Sequence, residues 1–125
     1  MQASWLIVVE GKHDVAQVHA VAPQVEVVAT HGWPSQIRLN QLRRLGRGRP
    51  VALLTDGDSA GQRIRAELHE VFPKAIDIYI RRSFNGVEHA PLTYLARRLE
   101  RAGIIDETAS FLETDQVIKA DRGES

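Results

Sequence analysis

Two short runs, Leu6-Ile7-Val8-Val9 and Val51-Ala52-Leu53-Leu54, contain no polar residue. Four residues are too few for a buried helix, and the runs lack the alternation of a strand with one wet face. They suit strands covered on both faces, as in a parallel sheet packed between helices. The flanking segments agree. Val15, Val18 and Ala22 follow the first run at helical spacing, and Val25–Ala29 reads as a second, more mixed strand. Ser35 is placed to cap a helix carrying Ile37, Leu42 and Leu45, which the Gly46–Pro50 stretch breaks. After the second run, Ser59 and Gln62 have the spacing of a capping box. Ile64, Leu68, Val71 and Phe72 then share a helical face as far as Pro73. Ile76, Ile78 and Ile80 alternate with Asp77 and Tyr79, the pattern of a half-exposed edge strand. Pro91 opens a last helix with a Leu92, Leu95, Ala96, Leu99 stripe, stopped near Gly103.

Strand alternating with helix predicts an α/β, Rossmann-like three-layer fold with helices on both faces of a four-stranded parallel sheet. The two wholly apolar strands belong in the middle and the mixed ones at the edges, which gives the order 2-1-3-4. With 125 residues the chain has room for one domain. That domain is expected over residues 1–103, followed by an acidic extension over residues 104–125. The extension holds Asp106, Glu107, Glu113, Asp115, Asp121 and Glu124 against Lys119 and Arg122, although the whole chain is formally neutral. No apolar run is long enough to span a membrane. Cysteine is absent, which excludes disulfides, thiolate nucleophiles and zinc–thiolate sites. The expected compartment is the cytoplasm, with no membrane partner.

In a sheet of this order, ligands bind at the carboxyl ends of the central strands, where successive connections leave toward opposite faces. The residues delivered there are Glu10-Gly11-Lys12-His13-Asp14 after strand one and Asp56-Gly57-Asp58-Ser59-Ala60-Gly61 after strand three. Neighbouring strands lie about 4.8 Å apart, so Glu10, Asp56 and Asp58 should crowd one crevice, with Asp14 a turn away. Carboxylates this close repel unless a cation sits among them. As hard oxygen donors they point to Mg2+ or Mn2+, which could stabilise charge on a phosphate. Gly57 and Gly61 would let backbone and ligand approach closely. An isolated Asp-Gly-Asp-Ser is equally a turn followed by a helix cap; the conjunction with Glu10-Gly11 on the neighbouring strand carries the functional reading.

The segment Val8-Val9-Glu10-Gly11-Lys12-His13-Asp14, followed about forty residues later by Leu54-Thr55-Asp56-Gly57-Asp58-Ser59-Ala60-Gly61, resembles the toprim domain. This catalytic module is shared by topoisomerases, bacterial primases and some nucleases. Within that superfamily the sequence is most similar to the ribonuclease that matures 5S ribosomal RNA, in its Glu10–Asp14 form and in Gly86-Val87-Glu88-His89-Ala90. The resemblance implies a magnesium-dependent phosphodiesterase acting on nucleic acid, RNA rather than DNA. Glu10 would be the general acid/base and also a metal ligand. Asp56 and Asp58 would hold metal, and Asp14 would support catalysis through the metal network. Gly11, Gly57 and Gly61 would shape the loops, and Glu88 and His89 would lie on the rim.

Arginine dominates the bases. Arg38, Arg43, Arg44, Arg47 and Arg49 lie between residues 36 and 50 with no acid among them, and Arg63, Arg65, Arg81 and Arg82 add to the excess. A solvated helix face is the ordinary meaning of such a run; a phosphate-tracking surface formed by Lys12, Arg43, Arg44, Arg47 and Arg49 is the functional one. Trp33 could stack on a base or pack against its own loop. His13, His19, His31 and His69 show no metal spacing and are expected to be structural. Two other functions remain open. One is a toprim fold that binds metal and nucleic acid without turnover, or acts only with a protein partner that supplies grip on the substrate. The other is a receiver domain phosphorylated on Asp56, which would need a pair of acids after strand one and a lysine after a fifth strand.

Overall fold

Leu6, Ile7, Val8 and Val9 are all fully buried, and they divide between two cores. Ile7 and Val9 pack with Val18, Ala22, Leu95, Ala96 and Leu99 on one side. Leu6 and Val8 pack with Leu39, Leu42, Ile64, Leu68 and Phe72 on the other. A strand that serves two cores cannot carry a polar residue, which is why the run is uninterrupted. The computed structural model describes residues 4–106.

The elements are β1 (Leu6–Val9), α1 (Lys12–Val21), β2 (Glu26–Ala29), α2 (Gln36–Leu45), β3 (Val51–Leu53), α3 (Ser59–Val71), β4 (Ile76–Asp77) and α4 (Leu92–Arg101). Two short 3-10 turns, Arg82–Phe84 and Val87–His89, separate β4 from α4. The sheet is parallel throughout, in the order β2-β1-β3-β4. Helices α1 and α4 cover one face and α2 and α3 the other, giving the expected three layers. In register, Leu6 stands opposite Glu26 and Val51, so β1 lies between its neighbours and β3 follows immediately. Among the described residues there is no fifth strand, and no helix is long and apolar enough to cross a membrane. The folded part continues past Gly103, because Ile104 is buried in the first core. The rest of the acidic extension, residues 107–125, lies outside the described residues.

Several local expectations are corrected. Asp58, not Ser59, caps α3; its Oδ1 accepts the Gly61 N–H at 2.6 Å. Gln62 turns back to the Gly57 carbonyl instead of closing a box. Helix α2 buries Leu39 and Leu42, whereas Ile37 is exposed, because the helix starts at Gln36 and its buried stripe falls two residues later. Pro91 precedes α4 as its cap rather than lying in its first turn.

Arg65 does not belong to the basic surface. It is buried beneath the sheet edge, where pairing of β3 and β4 stops at Leu53 and Asp77. Its guanidinium donates to the carbonyls of Leu53 (3.1 Å), Thr55 (3.0 Å) and Ile78 (3.0 Å) and to Asp77 Oδ1 (2.8 Å). A planar group with five donors reaches all three carbonyls at the end of the short β4 pairing, of which Leu53 also accepts the Ile78 N–H at 3.0 Å. Burial alone would raise the Asp77 carboxyl, but hydrogen bonds from Arg65 and His69 outweigh it and hold Asp77 below its ordinary range.

Candidate active site

The carboxyl ends of β1 and β3 open into three loops that meet. Beyond β1, Glu10 accepts through its carbonyl the N–H groups of His31 (2.8 Å) and Gly32 (3.3 Å), which fastens it to the loop after β2. Its side chain turns the other way, toward β3, where Oε2 receives the Asp56 N–H at 3.3 Å. Asp56 is in turn covered by the segment between β4 and α4, since its Oδ1 accepts the Val87 N–H at 3.0 Å. Asp58 begins α3 two residues later. The adjacency of β1 and β3 therefore brings Glu10, Asp56 and Asp58 to one crevice.

Asp14 stands behind Glu10. It is 8% exposed, and its Oδ2 accepts the Gly11 N–H at 3.0 Å, fixing the first turn of α1. With Glu10, Gly11, His13, Asp56, Asn85, Gly86, Val87 and Glu88 it lines a cleft of about 240 Å3. A second cleft, of about 350 Å3, lies on the other side of Asp56 and is bordered by Asp58, Arg82 and Asn85. Glu88 faces the first cleft, whereas His89 is outside it, 3.2 Å from the Glu88 carboxylate and largely exposed.

Crowding shows in the protonation of these acids. Glu10 is pushed up from 4.5 to about 7, first by burial, then by the Asp56 carboxyl beside it and, more weakly, by the charge of Asp58; the Asp56 N–H offsets part of this. Asp14 is also raised, mainly by burial, with the Gly11 N–H opposing and the charges of Asp56 and Glu88 adding. A divalent cation would relieve both, and an all-oxygen donor set is the right kind for Mg2+ or Mn2+. Yet among the described residues no three Asp, Glu or His side chains converge closely enough to hold one ion. One oxygen of each of Asp56 and Asp58 is turned to a backbone N–H, on Val87 and Gly61 respectively. The set fits a divalent ion in the chemistry of its donors but not in their spacing, and the second carboxylate oxygens of both aspartates are the atoms left to meet it.

The glycines differ in what they do. A Cβ on Gly61 would be driven into the Asp56 backbone, 2.8 Å from its carbonyl carbon and 3.1 Å from its nitrogen, so α3 can lie this close to the loop only without a side chain there. Gly57 and Gly11 have room for a Cβ, with nearest atoms at 3.5 and 3.9 Å. Gly86, which the sequence did not single out within its segment, has φ +101, and a Cβ there would meet Asp56 Oδ1 at 2.9 Å.

The bases are redistributed. Arg43, Arg47 and Arg49 border a groove of about 540 Å3 with Pro50, Val51, Phe72 and Lys74, which lie at the amino ends of β3 and β4 and so at the opposite end of the sheet from the acids. Arg44 is on the same last turn of α2. Arg49 is occupied internally: it pairs with Glu26 at 2.7 Å and donates to the carbonyls of Ser4, Leu45 and Trp5. A phosphate contact by Arg49 would compete with these partners. Lys12, at the start of α1, is exposed near the acids. The arginines that border the acidic clefts are Arg82 and Arg63. Sequence reasoning left His13 structural, but it lines the cleft with Glu10 and Asp14. Only its place one residue before Asp14 could have marked it.

The model of the Toprim domain matches residues 5–86, two thirds of the sequence, including Glu10, Asp14, Asp56 and Asp58. The chain belongs to the Toprim family. This toprim chain is 31% identical over 109 residues to the uncharacterized protein YusF of Bacillus subtilis, covering 86% of this chain and 74% of that one. It is 32% identical over 118 residues to Ribonuclease M5 of Fusobacterium nucleatum, covering 88% of this chain and 64% of that protein, so it spans less than two thirds of that relative. Among solved structures, a small TOPRIM domain protein from Bacillus stearothermophilus is 37% identical, with a TM-score of 0.72 over 82% of this chain and 87% of that one. The toprim match also removes the receiver alternative, which needed a fifth strand ending in lysine.

Proposed function

We propose that this toprim protein is a Mg2+- or Mn2+-dependent phosphodiesterase that cuts nucleic acid. The observation that carries the proposal is the meeting of Glu10 with Asp56 and Asp58 across adjacent strands, with Glu10 held near neutrality. A divalent ion bound by Asp56, Asp58 and Glu10 would supply stabilisation of the charge that develops on the phosphate. The other tasks fall to the chain itself. Glu10, with a carboxyl that titrates near pH 7, can take or return a proton at the reacting oxygen. Asp14 fixes the turn that follows Glu10, and Val87 fixes Asp56. Arg82 and Lys12 grip the phosphates nearest the cut, with Arg63 on the far side of Asp58, and Arg43, Arg44 and Arg47 reach a more distant part of the substrate. Glu88 and His89 form the rim.

RNA is favoured over DNA because a relative carries the name Ribonuclease M5. Processing of a structured ribosomal precursor, of the 5S type, is the corresponding task, and the cytoplasm is the proposed compartment. A protein partner that supplies further grip on the substrate is part of this proposal. The lack of a three-carboxylate convergence among the described residues favours one second reading, a metal- and nucleic-acid-binding module that turns over only with such a partner. Cleavage assays on structured RNA and on DNA, side by side with Mg2+ and Mn2+, test the proposal. Metal-dependent cleavage lost in Glu10→Gln supports it. Metal-dependent binding without cleavage, at any enzyme concentration, favours the second reading.

A further inference from the structure

The loop between β2 and α2 presents a large ring to solvent. Trp33 is 61% exposed, and among the described residues neither a ring nor a guanidinium stacks on it. The residues before it hold the loop in an uncommon backbone form, with φ of 61 at His31 and 83 at Gly32. A positive φ at a non-glycine residue persists where surrounding bonds impose it. Those bonds are the two N–H contacts to the Glu10 carbonyl. The loop that carries Trp33 is thus fastened to the main chain of the residue proposed to do the chemistry. Trp33 lines a cleft of about 620 Å3 together with Glu10, Asp58 and Arg63. A flat apolar face, a cation and two of the site carboxylates border one space, whose volume falls within the range of small-ligand sites.

We infer that Trp33 and Arg63 form a subsite for an unpaired nucleotide, its base stacked on the Trp33 ring and its phosphate against Arg63, beside Glu10 and Asp58. The inference rests on the phosphodiesterase reading for the position of the scissile bond. Stacking on an aromatic ring requires a free base face, which a duplex does not offer, and it tolerates any base because each has a π-face. The guanidinium of Arg63 provides the forked donors that suit phosphate. The substrate chemistry selected is therefore a single-stranded end, loop or bulge entering the acidic crevice from the α2 side.

The test measures binding in EDTA, where no metal-dependent cut can occur. Anisotropy of an end-labelled single-stranded oligonucleotide is compared with that of a blunt duplex of equal length, for wild type, Trp33→Ala, Trp33→Phe and Arg63→Ala. Loss of a base stack should raise the single-strand Kd by about 5- to 100-fold in Trp33→Ala. Trp33→Phe should recover part of that, and duplex binding should not change in either. Arg63→Ala should weaken single-strand binding and lower its salt dependence by about one counterion. The subsite is refuted by an unchanged single-strand Kd in Trp33→Ala, or by equal losses for single strand and duplex. Trp33-dependent self-association without nucleic acid would also refute it, by assigning the ring to a second copy. Metal-dependent cleavage with no Trp33 dependence would keep the proposed function and remove the subsite. Trp33-dependent binding without any cleavage would do the reverse.

Discussion

Glu10 should make the metal-free protein lose stability as pH rises through neutrality. Its native carboxyl is pushed up from 4.5 to about 7, so the folded state holds this proton more tightly than the unfolded chain does. The sign follows from linkage: the stabilisation is fully present below about pH 4.5 and is lost as pH climbs through about 7. For a group sealed from water, a shift of this size would correspond to about 3 kcal/mol. Glu10 is only half-buried, so solvent screening reduces the expected effect to about 1–2 kcal/mol. Glu10→Gln removes the titration while an amide keeps the shape and can still accept the Asp56 N–H. Urea unfolding in EDTA, followed at pH 5 and pH 8, measures both proteins on one scale. Wild type should lose about 1–2 kcal/mol more than Glu10→Gln between the two pH values, and the variant should be the more stable at pH 8. Asp14 is raised as well, but it is present in both proteins and contributes to both slopes. Parallel pH profiles for the two proteins would refute the reasoning, because they would mean that neither burial nor the neighbouring Asp56 and Asp58 raises the Glu10 carboxyl.

Gly61→Ala should destabilise by about 1–3 kcal/mol, the usual range for overpacking, despite the helix preference of alanine; Gly57→Ala, which has room for its methyl, should be near neutral by thermal unfolding. Asp58→Ala should cost about 1 kcal/mol through loss of the α3 cap, and Asp58→Asn little, since asparagine caps as well. Both Asp58 variants should nevertheless lose most of the rise in Tm that Mn2+ gives the wild type, which separates the cap from the ligand. Arg65→Ala should cost about 3 kcal/mol, because the Thr55 and Ile78 carbonyls lose the guanidinium donor, Leu53 keeps only the Ile78 N–H and Asp77 loses its ion pair, and equilibrium urea unfolding will report it.

The sheet was legible in the sequence because burial on two faces leaves a simple trace. Leu6–Val9 and Val51–Leu54 had to be central, and Ile76–Ile80, with its polar alternation, had to be an edge, although only Ile76–Asp77 pairs as β4. The acidic crevice was legible for the same reason, since residues that follow adjacent parallel strands must lie together. Partners fixed by tertiary approach were not legible. Nothing in the local pattern distinguishes Arg65, buried under three carbonyls, from Arg63, which borders a cleft two residues away. Arg49 reads as one of a basic run until the strand order places Glu26 beside it. The requirement for Gly61 was visible as a loop glycine, but its cause, the Asp56 backbone behind it, is a packing fact. Arg82, Asn85 and Val87 reach the site from two short 3-10 turns and the residues between them, and sequence periodicity carries no signal for such a return.

The central claim is that Glu10, Asp56 and Asp58 together form a site for a divalent ion. Titration of the protein with Mn2+, with free metal followed by electron paramagnetic resonance, tests it most directly. The account predicts saturable depletion of the free Mn2+ signal by wild type, competed by Mg2+, and loss of that depletion in Asp56→Asn/Asp58→Asn at unchanged fold by circular dichroism. Identical titration curves for wild type and the double variant would contradict it.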